Sequence, residues 1–253
     1  MKRSLMIFFI AILALSIVVP ASLAYAKTKK SQVGATPTTE QLEQKYADAA
    51  ANGKKVRILI VPGHEPQYGG TEYKGVYERE IAVEVANQLA TYLAQNPRLD
   101  VVVARDNDAW NSDLTNYFEN DWDSIQKFVE NQKAYFEKQL DKGKVTERNS
   151  DDQVAHATAP DDVALRLYGI GKWANDNDVD LVLHLHMNDA PDHGPNDPSQ
   201  NSGFAVYVPD AQYGNAATSR PVGEAIAARL SALNATSTLP IENKGVVEDQ
   251  ELI

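Results

Sequence analysis

The chain has 253 residues, 43% of them hydrophobic and 23% charged, with 35 acidic against 24 basic side chains and a formal net charge of −11. That is the length and balance of one large globular domain or two small ones. The acidic excess argues against non-specific nucleic-acid binding, which needs clustered Lys and Arg, and the one short basic run is KTKK at 27–30. Cysteine is absent, which excludes disulfides and a cysteine-linked lipid anchor, so any metal site must draw on His, Asp or Glu.

Lys2 and Arg3 precede an apolar run from Leu5 to Val19, and Ala24-Tyr25-Ala26 has the small-x-small pattern of a signal-peptidase site. The run is 15 residues, short for a membrane span. Residues 1–26 are therefore expected to be a signal peptide, with an uncleaved anchor as the alternative, and no stable membrane span is expected after cleavage. Their removal would leave 22 basic and 35 acidic residues, a net −13.

Residues 27–37 read as a polar linker. Thr38 to Ala51 reads as a short helix, with Thr38 and Gln41 as a capping box and Gly53 as its C-terminal glycine. Val56 to Val61 is a near-continuous apolar run, as in a parallel strand covered on both faces. Ile81, Val85, Leu89 and Tyr92-Leu93 give the helix Glu78 to Ala94 one apolar face. A strand at Leu99 to Ala104 follows. Trp110 to Leu140 reads as helical, 141–160 as irregular, Asp161 to Asn175 as an amphipathic helix, Val179 to Met187 and Gly203 to Val208 as strands, and Val222 to Leu233 as a helix. This alternation predicts a single α/β domain over 55–253, preceded by the 27–54 linker and helix, with a mostly parallel twisted sheet flanked by helices and a helical insertion at about 110–160.

Three of the five histidines close apolar runs: His64 in ILIVPGHEP and His184 and His186 in LVLHLHMND. Ligands of open α/β sheets bind beyond the carboxyl ends of the strands, where His64 and His186 fall. Glu78 opens the helix after the glycine-rich YGGTEYKG loop. Two imidazoles and one carboxylate form a zinc set that leaves a fourth position open. Ordinary alternatives exist for each: an exposed loop histidine at His64, a helix N-terminal acid at Glu78 (or Glu80), a core histidine at His186. His156 and His193 lie in polar loops and read as solvent-exposed.

The order of short motifs resembles the zinc-dependent N-acetylmuramoyl-L-alanine amidases, bacterial cell-wall hydrolases. The matching segments are Gly63-His64, the 69–75 loop, Glu78-Arg79, Arg105-Asp106-Asn107-Asp108, Arg166 in LRLYGIGKWAND, Leu183-His184-Leu185-His186-Met187-Asn188 and Gly203-Phe204-Ala205-Val206-Tyr207, together spanning residues 56 to about 250. The resemblance implies a zinc ion held by His64, Glu78 and His186, with His184, Asn188 and Arg166 orienting ligands or substrate. His184, which stands where the family usually has serine, reads equally as a structural histidine. It also implies peptidoglycan as substrate and, with the expected leader, a secreted or periplasmic location; the charge balance adds the expectation of no nucleic-acid partner.

Two features depart from the pattern. The 110–160 stretch is longer than the usual connection. In the family, inserted helices near the site can cover it, whereas here the helix can equally pack on the sheet. The chain ends NKGVVEDQELI, whereas the family continues into a final strand that presents a glutamate acid/base. No residue here takes that place, and Leu252-Ile253 reads as the start of a strand. The sequence is therefore expected to be C-terminally incomplete, with final strands missing and the catalytic glutamate beyond Ile253. Glu65 can be proposed as a substitute base, although a residue next to a ligand often points away from the metal. The resemblance implies amide hydrolysis between the muramyl lactyl group and L-alanine. The alternatives are an inactive zinc-binding wall-recognition module, another zinc peptidase, or a structural protein without metal.

Overall fold

The computed structural model describes residues 12–16, 37–148, 156, 158–188, 194 and 196–252. In chain order the elements are β1 (Ile12–Ser16), α1 (Thr39–Asn52), β2 (Val56–Pro62), β3 (Glu72–Tyr73), β4 (Val76–Tyr77), α2 (Glu78–Leu93), β5 (Leu99–Val103), α3 (Ser112–Asn120), α4 (Trp122–Asp141), α5 (Asp161–Asp176), β6 (Leu181–His186), β7 (Ala205–Pro209), α6 (Ala216–Leu230) and β8 (Val246–Asp249). The fold is α/β, a mostly parallel sheet between helical layers.

The main sheet has the order β5-β2-β6-β1-β7-β8. Four of its five pairings are parallel, and the exception is β1 against β6. Because β1 is antiparallel to β6 and parallel to β7, strands β7 and β8 run against β5, β2 and β6. The carboxyl ends of β2 and β6 therefore meet the amino ends of β7 and β8. β1 lies inside the expected leader; the rest of that leader, most of the 27–37 linker and His193 lie outside the described residues.

Side-chain alternation along β2 divides the core between the two faces. Leu59 and Val61 face Leu114 of α3 and Ile170, Trp173 and Ala174 of α5. Val56, Ile58 and Ile60 face Ala86 and Leu89 of α2, with Leu42 of α1 and Val222 and Ile226 of α6 against the same cluster. The capping box at Thr38 and Gln41 and the left-handed Gly53 bound α1 as expected. Since Leu42 packs on the sheet and Lys45 pairs with Asp180 at 2.5 Å, α1 belongs to this core.

The 110–160 stretch is two helices instead of one. The chain breaks at Asp121, and Asn111 caps α3 through the Leu114 N–H. α4 packs on α5, where Gly169 admits Ile125 and Phe118: a β-carbon there would meet both at 3.0 Å. The insertion returns to the sheet beyond α4. The Thr146 carbonyl accepts from Gln212 and Gln250, and Arg148 pairs with Asp210 at 2.5 Å and Glu248 at 2.6 Å. His156 lies 2.7 Å from the buried Asp249. It is exposed as read from the sequence, yet it is paired. Leu252 packs against Ala205, Tyr207 and Val247, and Ile253 lies outside the described residues.

Two outcomes follow from this packing. Ile125 is fully buried between α4 and α5. Ile125→Ala should lower stability by about 3 kcal/mol in urea unfolding. The hydrogen bond to Asp249 raises the His156 pKa against an opposing effect of burial. Its stabilisation is therefore complete below the unfolded value of about 6.5 and is lost as pH rises through the higher folded value. Thermal unfolding between about pH 5.5 and 9 should show this decline, and His156→Gln should flatten it.

Candidate metal centre

The centre forms where β2 and β6 end side by side. Pro62 pairs with Leu185 in register, and the Gly63 N–H still donates to the Leu185 carbonyl at 2.8 Å. This leaves no room at position 63: a β-carbon would stand 2.5 Å from the His186 ring and 2.8 Å from the Leu185 carbonyl oxygen. His64 follows with φ 68°, a left-handed conformation that side chains rarely adopt. The β3–β4 hairpin then folds the glycine-rich loop back under His64. Gly70 has φ 83°, and a β-carbon there would lie 2.9 Å from the His64 ring.

Glu78 opens α2 between the two imidazoles and is 5% exposed. Its Oε1 accepts from the Met187 N–H at 2.8 Å and lies 3.2 Å from His186 Nδ1. Its Oε2 accepts from the Thr71 N–H at 3.0 Å and lies 2.9 Å from His64 Nε2. Burial alone would raise the Glu78 pKa, but the flanking imidazoles of His186 and His64 outweigh it and hold the carboxyl well below the usual carboxylate range. The site thus keeps an ionised carboxylate between two rings whose centroids are 4.9 Å apart.

His64, Glu78 and His186 are a group able to hold a metal ion, with donor atoms all within 4.8 Å of one another. The His186 contact is a hydrogen bond, and the group as a whole is also compatible with a shared cation. His64 Nε2 is buried and, despite its proximity to Glu78, lacks an aligned hydrogen bond among the described residues. Two donors about 2.1 Å from a shared tetrahedral ion stand about 3.4 Å apart. The contacts here are 2.9 and 3.2 Å. Both histidine side chains keep some exposure, 28% and 33%, so one side of the group opens to solvent.

The residues expected to surround the ligands have separate fates. His184 shares its strand face with His186, sits beside Val61 in register and is not in the ligating group. Burial, then the neighbouring His186, pushes its pKa down to about 3, so it stays a neutral imidazole. Arg166 binds Glu65 Oε1 at 2.9 Å, Asp162 at 2.6 Å and the Tyr68 hydroxyl at 3.1 Å. The Trp110 indole N–H donates to Glu65 Oε2 at 3.3 Å. Glu65 is therefore clamped between α5 and the α3 approach, its carboxylate turned to those partners. Asn188 donates to Glu242 Oε1 at 3.1 Å.

One organising residue was not among the expected site residues. Arg105 is 2% exposed and donates to the carbonyls of Pro62 at 3.1 Å, Asp106 at 2.9 Å, Arg79 at 3.1 Å, and Gly63. It joins the end of β2 to the first turn of α2, and burial lowers its pKa to about 10. The Arg-x-x-Asp turn marked the position, but only the fold shows that the guanidinium turns inward onto the segments carrying His64 and Glu78.

The chain matches no family model, no curated protein and no solved structure. The chemistry of the centre therefore stands on its geometry. Gly63→Ala should weaken divalent-cation binding by about 100-fold, because its methyl group displaces the His186 ring. Titration calorimetry alongside far-UV circular dichroism would separate this from unfolding.

Proposed function

We propose that this chain is an exported zinc hydrolase that cleaves the amide bond between N-acetylmuramoyl and L-alanine in peptidoglycan. The observation that carries the reading is the convergence of two imidazoles and a buried, ionised carboxylate at the carboxyl ends of adjacent parallel strands. An N₂O donor set without sulfur suits zinc in a catalytic site. The substrate rests on the ordered resemblance of the segments from Gly63-His64 to Gly203-Phe204-Ala205-Val206-Tyr207.

A zinc ion held there would act as a Lewis acid on the amide carbonyl and make bound water more acidic. The chain's own residues supply the holding geometry. The Thr71 and Met187 N–H groups hold the Glu78 carboxylate in place between the two rings. Arg166 and Trp110 hold the Glu65 carboxylate and brace the loop after His64. Neutral His184 adds no competing positive charge beside His186.

A second reading, a zinc-binding wall-recognition module without turnover, is favoured by one observation. Glu65, the acid nearest a ligand in sequence, is committed to an ion pair. The same assay decides between the two. Purified protein should retain a single zinc ion after dialysis, measured by elemental analysis, and should release stem peptides with a free L-alanine amine from muropeptides. Chelation should abolish that release, and added zinc should restore it. Zinc retention without release would establish the second reading, and protein free of zinc would overturn both.

A further inference from the structure

Glu242 lies in the turns between α6 and β8, far in sequence from any expected ligand, and is 1% exposed. The direction reversal in the sheet puts the amino end of β8 at the same end of the sheet as the carboxyl ends of β2 and β6, and so brings Glu242 to the metal-centre end. Its Oε1 accepts two bonds, from the Tyr207 hydroxyl at 2.5 Å and from Asn188 Nδ2 at 3.1 Å. Its Oε2 is buried without a partner among the described residues. A buried carboxylate with one oxygen unsatisfied costs folding free energy, and such groups call for an explanation beyond stability.

Its contacts supply one. Three consecutive residues at the end of β6 each engage a buried carboxylate. The His186 ring and the Met187 N–H meet Glu78 Oε1, and the Asn188 amide meets Glu242 Oε1. The segment is thus fixed from both sides, by Glu78 from α2 and by Glu242 from the turn before β8. Tyr207, 4% exposed on β7, holds Glu242 in turn, and desolvation followed by the bond to Glu242 raises its pKa, which keeps the hydroxyl a donor.

We propose that Glu242 is a positioning residue for the metal centre. It anchors Asn188 and so sets the orientation of His186 and of the Met187 N–H toward Glu78. Among the described residues Glu242 makes no hydrogen bond or ion pair with the three metal-binding side chains; it acts through Asn188. This rests on the reading that His64, Glu78 and His186 hold zinc. Partners one layer outside the ligands typically tune metal affinity by 10- to 100-fold.

The test uses the full chain with Glu242→Met, which fills the space but accepts no hydrogen bond, and Glu242→Gln, which keeps an acceptor oxygen for Asn188 and Tyr207. The readouts are zinc affinity by competition with a chromophoric chelator, the visible spectrum of the Co²⁺-substituted protein, and the melting temperature without metal. Glu242→Met should weaken zinc binding about 10-fold or more and shift the cobalt bands, while the metal-free melting temperature moves by no more than about 3 °C. Glu242→Gln should recover most of the affinity. A purely structural role predicts the reverse, a lower melting temperature with parental affinity and cobalt spectrum, and that result would overturn the proposal. Should Glu242→Met not fold, Asn188→Ala breaks the same contact from its partly exposed end, and unchanged zinc affinity there would overturn it equally. Parent protein that binds no zinc would remove both this inference and the metal reading. Parent binding with an indifferent Glu242 would remove the inference alone.

Discussion

The Glu78 carboxylate is the charge around which this end of the molecule is arranged. A carboxylate taken out of water needs partners for both oxygens, and the four partners here come from three separate parts of the chain. Thr71 belongs to the returning hairpin, Met187 to the end of β6, His64 to the loop after β2 and His186 to the last position of β6. Satisfying one buried charge therefore fixes the relative placement of two strands, a hairpin and a helix N-terminus. The same group that gathers these segments is the one that would share a cation with the two rings.

Two supports keep that arrangement from collapsing on itself. Arg105 answers the carbonyls left unpaired where β2 stops, and in doing so ties them to the first turn of α2. The opposite sign of charge stands on the other side of His64, where Glu65 is gripped by Arg166 and Trp110. His64, in a left-handed backbone conformation, is flanked in the chain by Gly63, whose carbonyl accepts from Arg105, and by Glu65, which pairs with Arg166.

Much of this was legible in the residues. The β2 run, the α1 capping box, the apolar faces of α2 and α5, and the α/β alternation are local signals of spacing and composition. So was the grouping of His64, Glu78 and His186, because Gly63-His64, Glu78-Arg79 and His186 sit where a strand end, a helix start and a second strand end would place them. The misses have physical causes. The β3–β4 hairpin is two residues a side inside a loop read as glycine-rich irregular chain. The break at Asp121 interrupts a continuous apolar periodicity, and α6 begins before its own Pro221. β8 has a half-buried pattern too short to separate from a turn. The direction of β7 and β8 depends on which strand they pair with, which no local pattern encodes, and so Glu242 was invisible as a neighbour of Asn188. The inward turn of Arg105 was hidden for the same reason: a buried guanidinium is decided by which carbonyls the fold leaves unanswered.

The pairing of β1 has a topological consequence. β6 and β7 point in opposite directions and do not bond to each other; Ile12–Ser16 fills a slot about 10 Å wide between them, two strand spacings. Any occupant of that slot must be parallel to one bank and antiparallel to the other, so the mixed character of the sheet belongs to its two halves and not to the strand that joins them. The joining strand is also drawn from the segment whose sequence reads as a leader ending at Ala26. Cleavage there would withdraw the keystone from between the half that carries the imidazoles and the half that carries Glu242, and the two banks would have to close by one strand spacing or receive another strand.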